Sequence, residues 1–166
     1  MRLGRPEPLA AGHDLSRFKC GQPVLDDWLR RRALAAMTAG SARSYVVCAG
    51  ESVAAFYCLA VGAVAHAGAP GRGRRNMPDP VPVMVVGRLA VDSAWQGRGL
   101  GRAMLADALL RTLGVAEVAG VRALLVHALD ERAAAFYLGG GFLPSPVDPL
   151  TLMITRADAR TALEPS

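Results

Sequence analysis

The chain has 166 residues and a mass of 17.4 kDa, enough for one continuous core, and a single domain over residues 1–166 is the expectation. Its formal charge of +5 and a pI near 9.7 favour a polyanionic partner such as nucleic acid, although Lys19 is the only lysine and the arginine content partly follows codon usage. Cys20, Cys48 and Cys58 are odd in number and share no C-x-x-C spacing, which excludes a cysteine zinc site and a disulfide framework and fits free thiols in a reducing cytoplasm.

The N-terminus, M-R-L-G-R-P-E-P, lacks the apolar core of a signal peptide, and residues 2–9 read as a short edge strand interrupted by Pro6 and Pro8. A helix is predicted from Asp26 to about Ala39, with Leu25, Trp28, Leu29, Leu34 and Met37 on its apolar side. Arg43–Ala49 alternates as a strand does, and Gly50-Glu51 turns it into a second strand over about Val53–Val64, an antiparallel hairpin. Val53–Pro70 is uncharged and nearly long enough to span a bilayer. Its His66, its small residues and its shortage of Leu and Ile mark a buried strand followed by a loop instead. Residues 66–80 form a basic loop rich in Pro and Gly, followed by an apolar strand at 82–92 and a long helix from Gly99 to about Ala119. Val121–Leu129 is the next strand, Asp130–Leu138 a short helix, and Phe142–Ser145 and Leu150–Thr155 are strands that close the sheet.

The most informative stretch runs from Pro80 to Gly101, P-V-P-V-M-V-V-G-R-L-A-V-D-S-A-W-Q-G-R-G-L-G. A valine-rich strand breaks at Asp92-Ser93 and ends in glycines at every second position, directly before a helix. Without a Cβ, the backbone at Gly97, Gly99 and Gly101 can turn tightly and bring its N–H groups close to a ligand. At a helix N-terminus those donors and the helix dipole favour an anion, most naturally phosphate. The dinucleotide fingerprint G-x-G-x-x-G fails in register at Arg102 and Met104, and no Lys-Ser/Thr follows to make a nucleoside-triphosphate loop.

Gln96-Gly97-Arg98-Gly99-Leu100-Gly101 resembles the Q/R-x-x-G-x-G/A signature of the GNAT acetyltransferases, in which this loop holds the pyrophosphate of acetyl-coenzyme A. The element order also matches that fold, a mixed α/β architecture whose mostly antiparallel mixed sheet has splayed central strands and flanking helices, with one helix missing or short near residues 14–20. The likeness covers roughly residues 20–156 and narrows to the GNAT toxins of bacterial toxin–antitoxin modules. It is carried by L-D-D-W-L-R-R-R-A-L, S-Y-V-V, R-R-N-M-P-D-P-V-P-V, G-R-L-A-V-D, L-L-V-H-A-L-D-E, A-F-Y-L-G-G-G-F and P-S-P-V-D-P-L-T-L-M-I-T in that order. The resemblance implies transfer of acetyl from acetyl-coenzyme A to the α-amine of aminoacyl-tRNA. It also implies a homodimer silenced by a ribbon-helix-helix antitoxin, with operator DNA bound only through that complex.

Residue roles follow from the resemblance and from chemistry together. The backbone at Leu89 and Val91 would pair with the pantetheine arm as with a further strand, and Phe136 would flank the cofactor. Tyr137, in the F-Y-x-x-x-G-F match from Phe136 to Phe142, corresponds to the family's general acid, a phenol that protonates the departing thiolate. On spacing alone the same tyrosine is a packing residue. Asp92, His127, Asp130 and Glu131 lie near the strand ends, but the ester of an aminoacyl-tRNA lowers its α-amine below the free value of about 7.7–8.0, so no dedicated base is needed, and His127 reads as a core histidine. No metal is expected. Arg74 and Arg75, on the basic loop, are the expected tRNA contacts. Arg88, interrupting an apolar strand, either meets substrate or pairs with an acid. Two other functions fit the same residues: acetylation of a small amine or protein terminus, and a non-catalytic subunit that acts with an antitoxin on DNA.

Overall fold

The computed structural model describes residues 2–165. In chain order its elements are β1 (Glu7–Pro8), α1 (Pro23–Arg31), α2 (Ala33–Ala39), β2 (Arg43–Ala49), β3 (Ser52–Val64), α3 (Gly71–Arg74), β4 (Val81–Val91), α4 (Leu100–Ala119), β5 (Ala123–His127), α5 (Glu131–Gly139), β6 (Leu143–Pro144), β7 (Thr151–Thr155) and α6 (Arg156–Leu163). This is the predicted class, a mixed, mostly antiparallel sheet with flanking helices. The chain packs as two units. One takes the chain up to Ala60 together with Gly87–Asp107, and the other takes Val61–Val86 together with the chain from Ala108 onward.

In the first unit, β2 and β3 form the expected antiparallel hairpin, from Arg43 opposite Leu59 to Ala49 opposite Ser52, with a bulge between Val47 and Cys48. The N-terminal edge strand is shorter than its proline-bearing sequence suggests. It is reduced to Glu7–Pro8 against Val46 and Tyr45, because Pro lacks the N–H a longer ladder needs. The predicted single helix over 26–39 is two helices. Pro23 starts α1 three residues early, where its missing N–H costs nothing. Arg32, at φ −123° and ψ −30°, then breaks the ladder before α2, which ends on Gly40 in the left-handed region. No helix lies at 14–20; the chain passes there in turns. The core of this unit is Phe18, Leu29, Ala33, Val46 and Phe56, with Phe18 edge-on to Phe56 at 5.4 Å and Trp28 stacked on it at 6.1 Å. The last five residues of β4 join this unit. There Ala90 is buried, and the Asp92 N–H donates to the Ala54 carbonyl at 2.8 Å.

In the second unit, β4 runs parallel to β5 over Val83–Val86 opposite Ala123–Val126, and that ladder ends five residues before β4 does. β7 lies antiparallel to β5, and β6 pairs with the outer side of β7. Val81, Val83, Ala123, Leu125 and Met153 form the core, joined by Ala69 from the segment before α3. The basic segment at 66–80 is not a bare loop. A 3-10 turn at His66–Gly68 and the short α3 order it, and a Cβ added at Gly73 would collide with the Met153 methyl. α6 was not predicted; it starts because the Thr155 hydroxyl accepts from the Asp158 N–H at 3.1 Å, and it buries only Ala159.

Of the three leucines on the apolar side of the helix predicted from Asp26 to about Ala39, Leu29 and Leu34 have different fates. Leu29 is fully buried and Leu34 is 40% exposed. Leu29→Ala is therefore expected to lower unfolding free energy by about 2–5 kcal/mol. Leu34→Ala should change it by no more than about 0.5 kcal/mol. Urea midpoints of the two variants measure the difference.

Candidate active site

Between β4 and α4 the chain makes the turn that the glycine pattern foretells. Asp92 fixes its entry, one carboxylate oxygen accepting from the Ala94 N–H at 2.9 Å and the other from the Lys19 N–H at 3.0 Å. Gln96 then acts as a clip, its side-chain NH2 donating to the carbonyls of Cys20 and Val91, both at 2.8 Å. Gly97 and Gly99 have φ of +77° and +82°, and nothing stands within 4 Å of where a Cβ would lie on either. Glycine is required here by the backbone and not by crowding. Leu100 buries its side chain, so α4 is anchored from its first residue, and the Ala103 N–H closes the first helical bond onto Gly99 at 3.1 Å. The N–H groups of Leu100 and Gly101 belong to the first turn and have no carbonyl four residues behind them in the helix. Arg98 leaves the turn with its guanidinium 4.9 Å from the Trp95 ring. An open turn bearing helix N-terminal donors and an arginine can hold a diphosphate.

The same unit holds Leu89, Val91 and Arg88. Leu89 and Val91 are half-buried, not core, and alternate with the buried Ala90. Among the described residues Arg88 has no acid partner. Its guanidinium lies 4.2 Å from the centre of the Trp28 ring, beside the Cys58 thiol. Burial still pushes the Cys58 thiol up despite that cation, and burial followed by Asp26 pushes Cys20 up to about 11. Thiols this reluctant to ionise are not nucleophiles at neutral pH.

In the second unit, Tyr137 is buried in α5, edge-on to Phe136 at 5.1 Å and to Phe142 at 5.5 Å. α5 is set by the Asp130 carboxylate, which accepts from the Ala133 N–H at 2.8 Å, so that acid is a helix cap. The Tyr137 carbonyl accepts from the Gly140 and Phe142 N–H groups, turning the chain so that Phe142 comes back against the phenol ring. His127 corrects the sequence reading. It is exposed at the end of β5 and shares a 3.0 Å hydrogen bond through Nδ1 with the Thr151 hydroxyl, which donates to Asp148 at 2.9 Å.

The arginines of the basic segment also separate. Arg72 pairs bidentately with Asp158 at 2.9 and 2.6 Å, and the short α3 aims Arg74 back toward the His66 carbonyl at 3.4 Å. Arg75 instead lines a cavity with Arg122 and Arg156, two residues that sequence reasoning passed over because they lie far away in the chain. Glu7, His13 and Cys48 have ligand atoms within 4.8 Å of one another. Nδ1 of His13 accepts from the Ala10 N–H at 2.9 Å, so Nε2 carries the proton and donates to Glu7 at 2.7 Å. That pair of hydrogen bonds clips His13 to Glu7 and to the backbone of Ala10.

Residues 41–143 match the family model for an acetyltransferase (GNAT) domain, more than half of the chain. Over 158 residues the chain is 51% identical to the tRNA-acetylating toxin of Mycobacterium tuberculosis, with 95% of each covered. The solved structure of AtaT complexed with acetyl-methionyl-tRNAfMet superposes with a TM-score of 0.90 at 26% identity, covering 98% of this chain and 100% of that one. A tyrosine-to-phenylalanine mutant of the AtaT toxin, bound to the C-terminus of the antitoxin AtaR and to acetyl-CoA, gives a TM-score of 0.83 at 26% identity over 97% of each chain.

Because Gly99 is left-handed with open space at its Cβ position, Gly99→Ala should cost about 1–2 kcal/mol of conformational strain without a clash. Gly114→Ala, mid-helix in α4 with similarly open space, should instead be neutral or stabilising. Thermal denaturation of the two variants separates the effects.

Proposed function

The chain belongs to the GNAT acetyltransferase family and is homologous to aminoacyl-tRNA-acetylating toxins, and from that premise we propose that it acetylates the α-amine of aminoacyl-tRNA and so blocks translation. The observation that carries the donor half is the turn after β4: two left-handed glycines and the opening of α4, clipped in place by Gln96. The acceptor half rests on the likeness to the tRNA-acetylating toxin.

Acetyl-CoA supplies the activated thioester. The backbone of Gly97, Arg98, Gly99, Leu100 and Gly101 receives its pyrophosphate, with Arg98 adding charge and Gln96 holding the turn. Backbone groups at Leu89 and Val91 take the pantetheine arm as a sheet edge takes a strand, and Phe136 packs beside it. As the amine nitrogen bonds the carbonyl carbon and the C–S bond breaks, the Tyr137 phenol would give its proton to the sulfur, and the proton lost by the ammonium would pass through water to restore the phenol, leaving the amide and the coenzyme A thiol. A phenol is suited to this because its ordinary pKa of about 10 keeps it protonated at neutral pH. The ester of an aminoacyl-tRNA lowers its α-amine below the ordinary range of about 7.7–8.0, so much of it is neutral at cytoplasmic pH and no general base is assigned. Arg74 and Arg75 meet the RNA from the basic segment, with Arg88 held ready on Trp28.

The whole chain acts in this proposal as one acetyltransferase domain, homodimeric and cytoplasmic. Its antitoxin is a ribbon-helix-helix protein that carries the complex to operator DNA; the structure of AtaT bound to the C-terminus of its antitoxin AtaR supports an antitoxin partner. Among the described residues no helix is long and apolar enough to cross a membrane.

Incubation with labelled acetyl-CoA and total charged tRNA is expected to leave the label on the esterified amino acid; label on free small amines alone would sink the proposal. Tyr137→Phe should keep acetyl-CoA affinity within about twofold and lose about 10²–10⁴ in turnover. Turnover at the unmodified rate would remove Tyr137 from the mechanism.

A further inference from the structure

A cavity of about 340 Å³ in the second unit is lined by Arg72, Arg75, Asn76, Arg122 and Arg156, and no acid lines it. Arg72 is neutralised by its two bonds to Asp158. Among the described residues, Arg75, Arg122 and Arg156 have no ion pair, so the lining carries three arginine charges that no acid compensates. The main chain of two of them is fixed by hydrogen bonds. The Arg122 N–H donates to the Pro82 carbonyl at 2.8 Å, and the Arg122 carbonyl accepts from the Arg156 N–H at 3.0 Å. Arg75 ends α3, which the Arg72–Asp158 pair ties to α6. Asn76 follows at φ +57°, the only non-glycine residue in the left-handed region among the described residues.

We propose that this cavity is a nucleotide-binding pocket that seats one phosphate and its adjoining base from the RNA substrate, at a site separate from the glycine turn. The guanidinium forks match phosphate oxygens, and their planes can stack on an unpaired base. Asn76 contributes an amide that both donates and accepts, which a base edge can use and a carboxylate-rich peptide cannot use fully. The volume exceeds what a lone phosphate needs and falls in the range of about 300–1,000 Å³ typical of small-ligand sites. In chain order the pocket lies where β4 and β5 begin, whereas the glycine turn follows the end of β4 and α5 follows the end of β5. The diphosphate of the donor therefore has its own cradle, and these arginines are left for the acceptor. The inference rests on the tRNA reading above and names where that RNA is gripped.

The test is the double variant Arg122→Gln/Arg156→Gln, with the binding of fluorescent uncharged tRNA measured by anisotropy between 0.05 and 0.3 M salt, a range of about one Debye-length regime either side of physiological. Binding at about 0.15 M is expected to fall tenfold or more, and the slope of log K against log salt to shrink by about 1–2, with acetyl-CoA binding retained as the check on folding. tRNA with and without its 5′-terminal phosphate separates a terminal from an internal phosphate as the seated group, and a loss in either form supports the pocket. Unchanged affinity and slope would overturn it. So would a heptaglutamate peptide that displaces tRNA from the unmodified protein as well as a short single-stranded RNA does. Acetylation of charged tRNA by the unmodified protein, assayed alongside, shows whether the tRNA reading stands when the pocket falls.

Discussion

The arrangement of the donor site depends on one side chain with two hydrogen bonds. Gln96 bridges the carbonyl at the end of β4, Val91, and the carbonyl of Cys20, which precedes α1. Without that bridge the segment from Asp92 to Gly101 would be an exposed turn with three glycines, among the costliest backbones to order. With it, the turn is tied at its entry by Asp92, at its middle by Gln96 and at its exit by the buried Leu100. The first N–H groups of α4 are thereby held in a fixed direction before any ligand arrives, which lowers the ordering cost of binding.

That constraint explains which parts of the chain were legible in the sequence. Strands β2, β3 and β4 and the long α4 were readable to within a residue or two because periodicity and glycine placement are local signals. Arg32 was not, because nothing in R-R-R announces a break; docking of Leu29 and Ala33 into one core sets two helix directions. α6 was missed for a related reason. Its start depends on a threonine cap, and its single buried alanine gives almost no periodic signal. At the site, Gln96 was identified by its place in a signature, yet its two carbonyl partners were invisible, since Cys20 is 76 residues away. His127 was misplaced because a histidine ending an apolar strand looks like core until the strand's last residue proves exposed.

The arginines show most clearly how folding revises composition. A net charge of +5 does not say which cations are already engaged. Arg72 holds the Asp158 carboxyl below its ordinary range chiefly through their hydrogen bonds. The pair is therefore intact at neutral pH, and its contribution is lost only as pH falls through that lowered value. Arg88 lies over an indole ring, and Arg30 donates to the Phe18 carbonyl at 2.7 Å. Among the remaining arginines, three that the sequence scatters over residues 75, 122 and 156 line one cavity in the fold.

This division of charge bears on specificity. A cradle made of backbone N–H groups recognises phosphate through main-chain geometry, so it can serve any acyl donor built on the same diphosphate. Guanidinium forks and a side-chain amide instead select by the shape and edges of what they hold, and they can be exchanged without disturbing the backbone. If the turn after β4 takes the donor and the arginine cavity the acceptor, as proposed, the first is written in glycines whose replacement strains the chain and the second in side chains that can be exchanged without disturbing it. On that argument, relatives sharing this fold should keep the turn after β4 and differ in the residues around the arginine cavity, each set matched to its own acceptor.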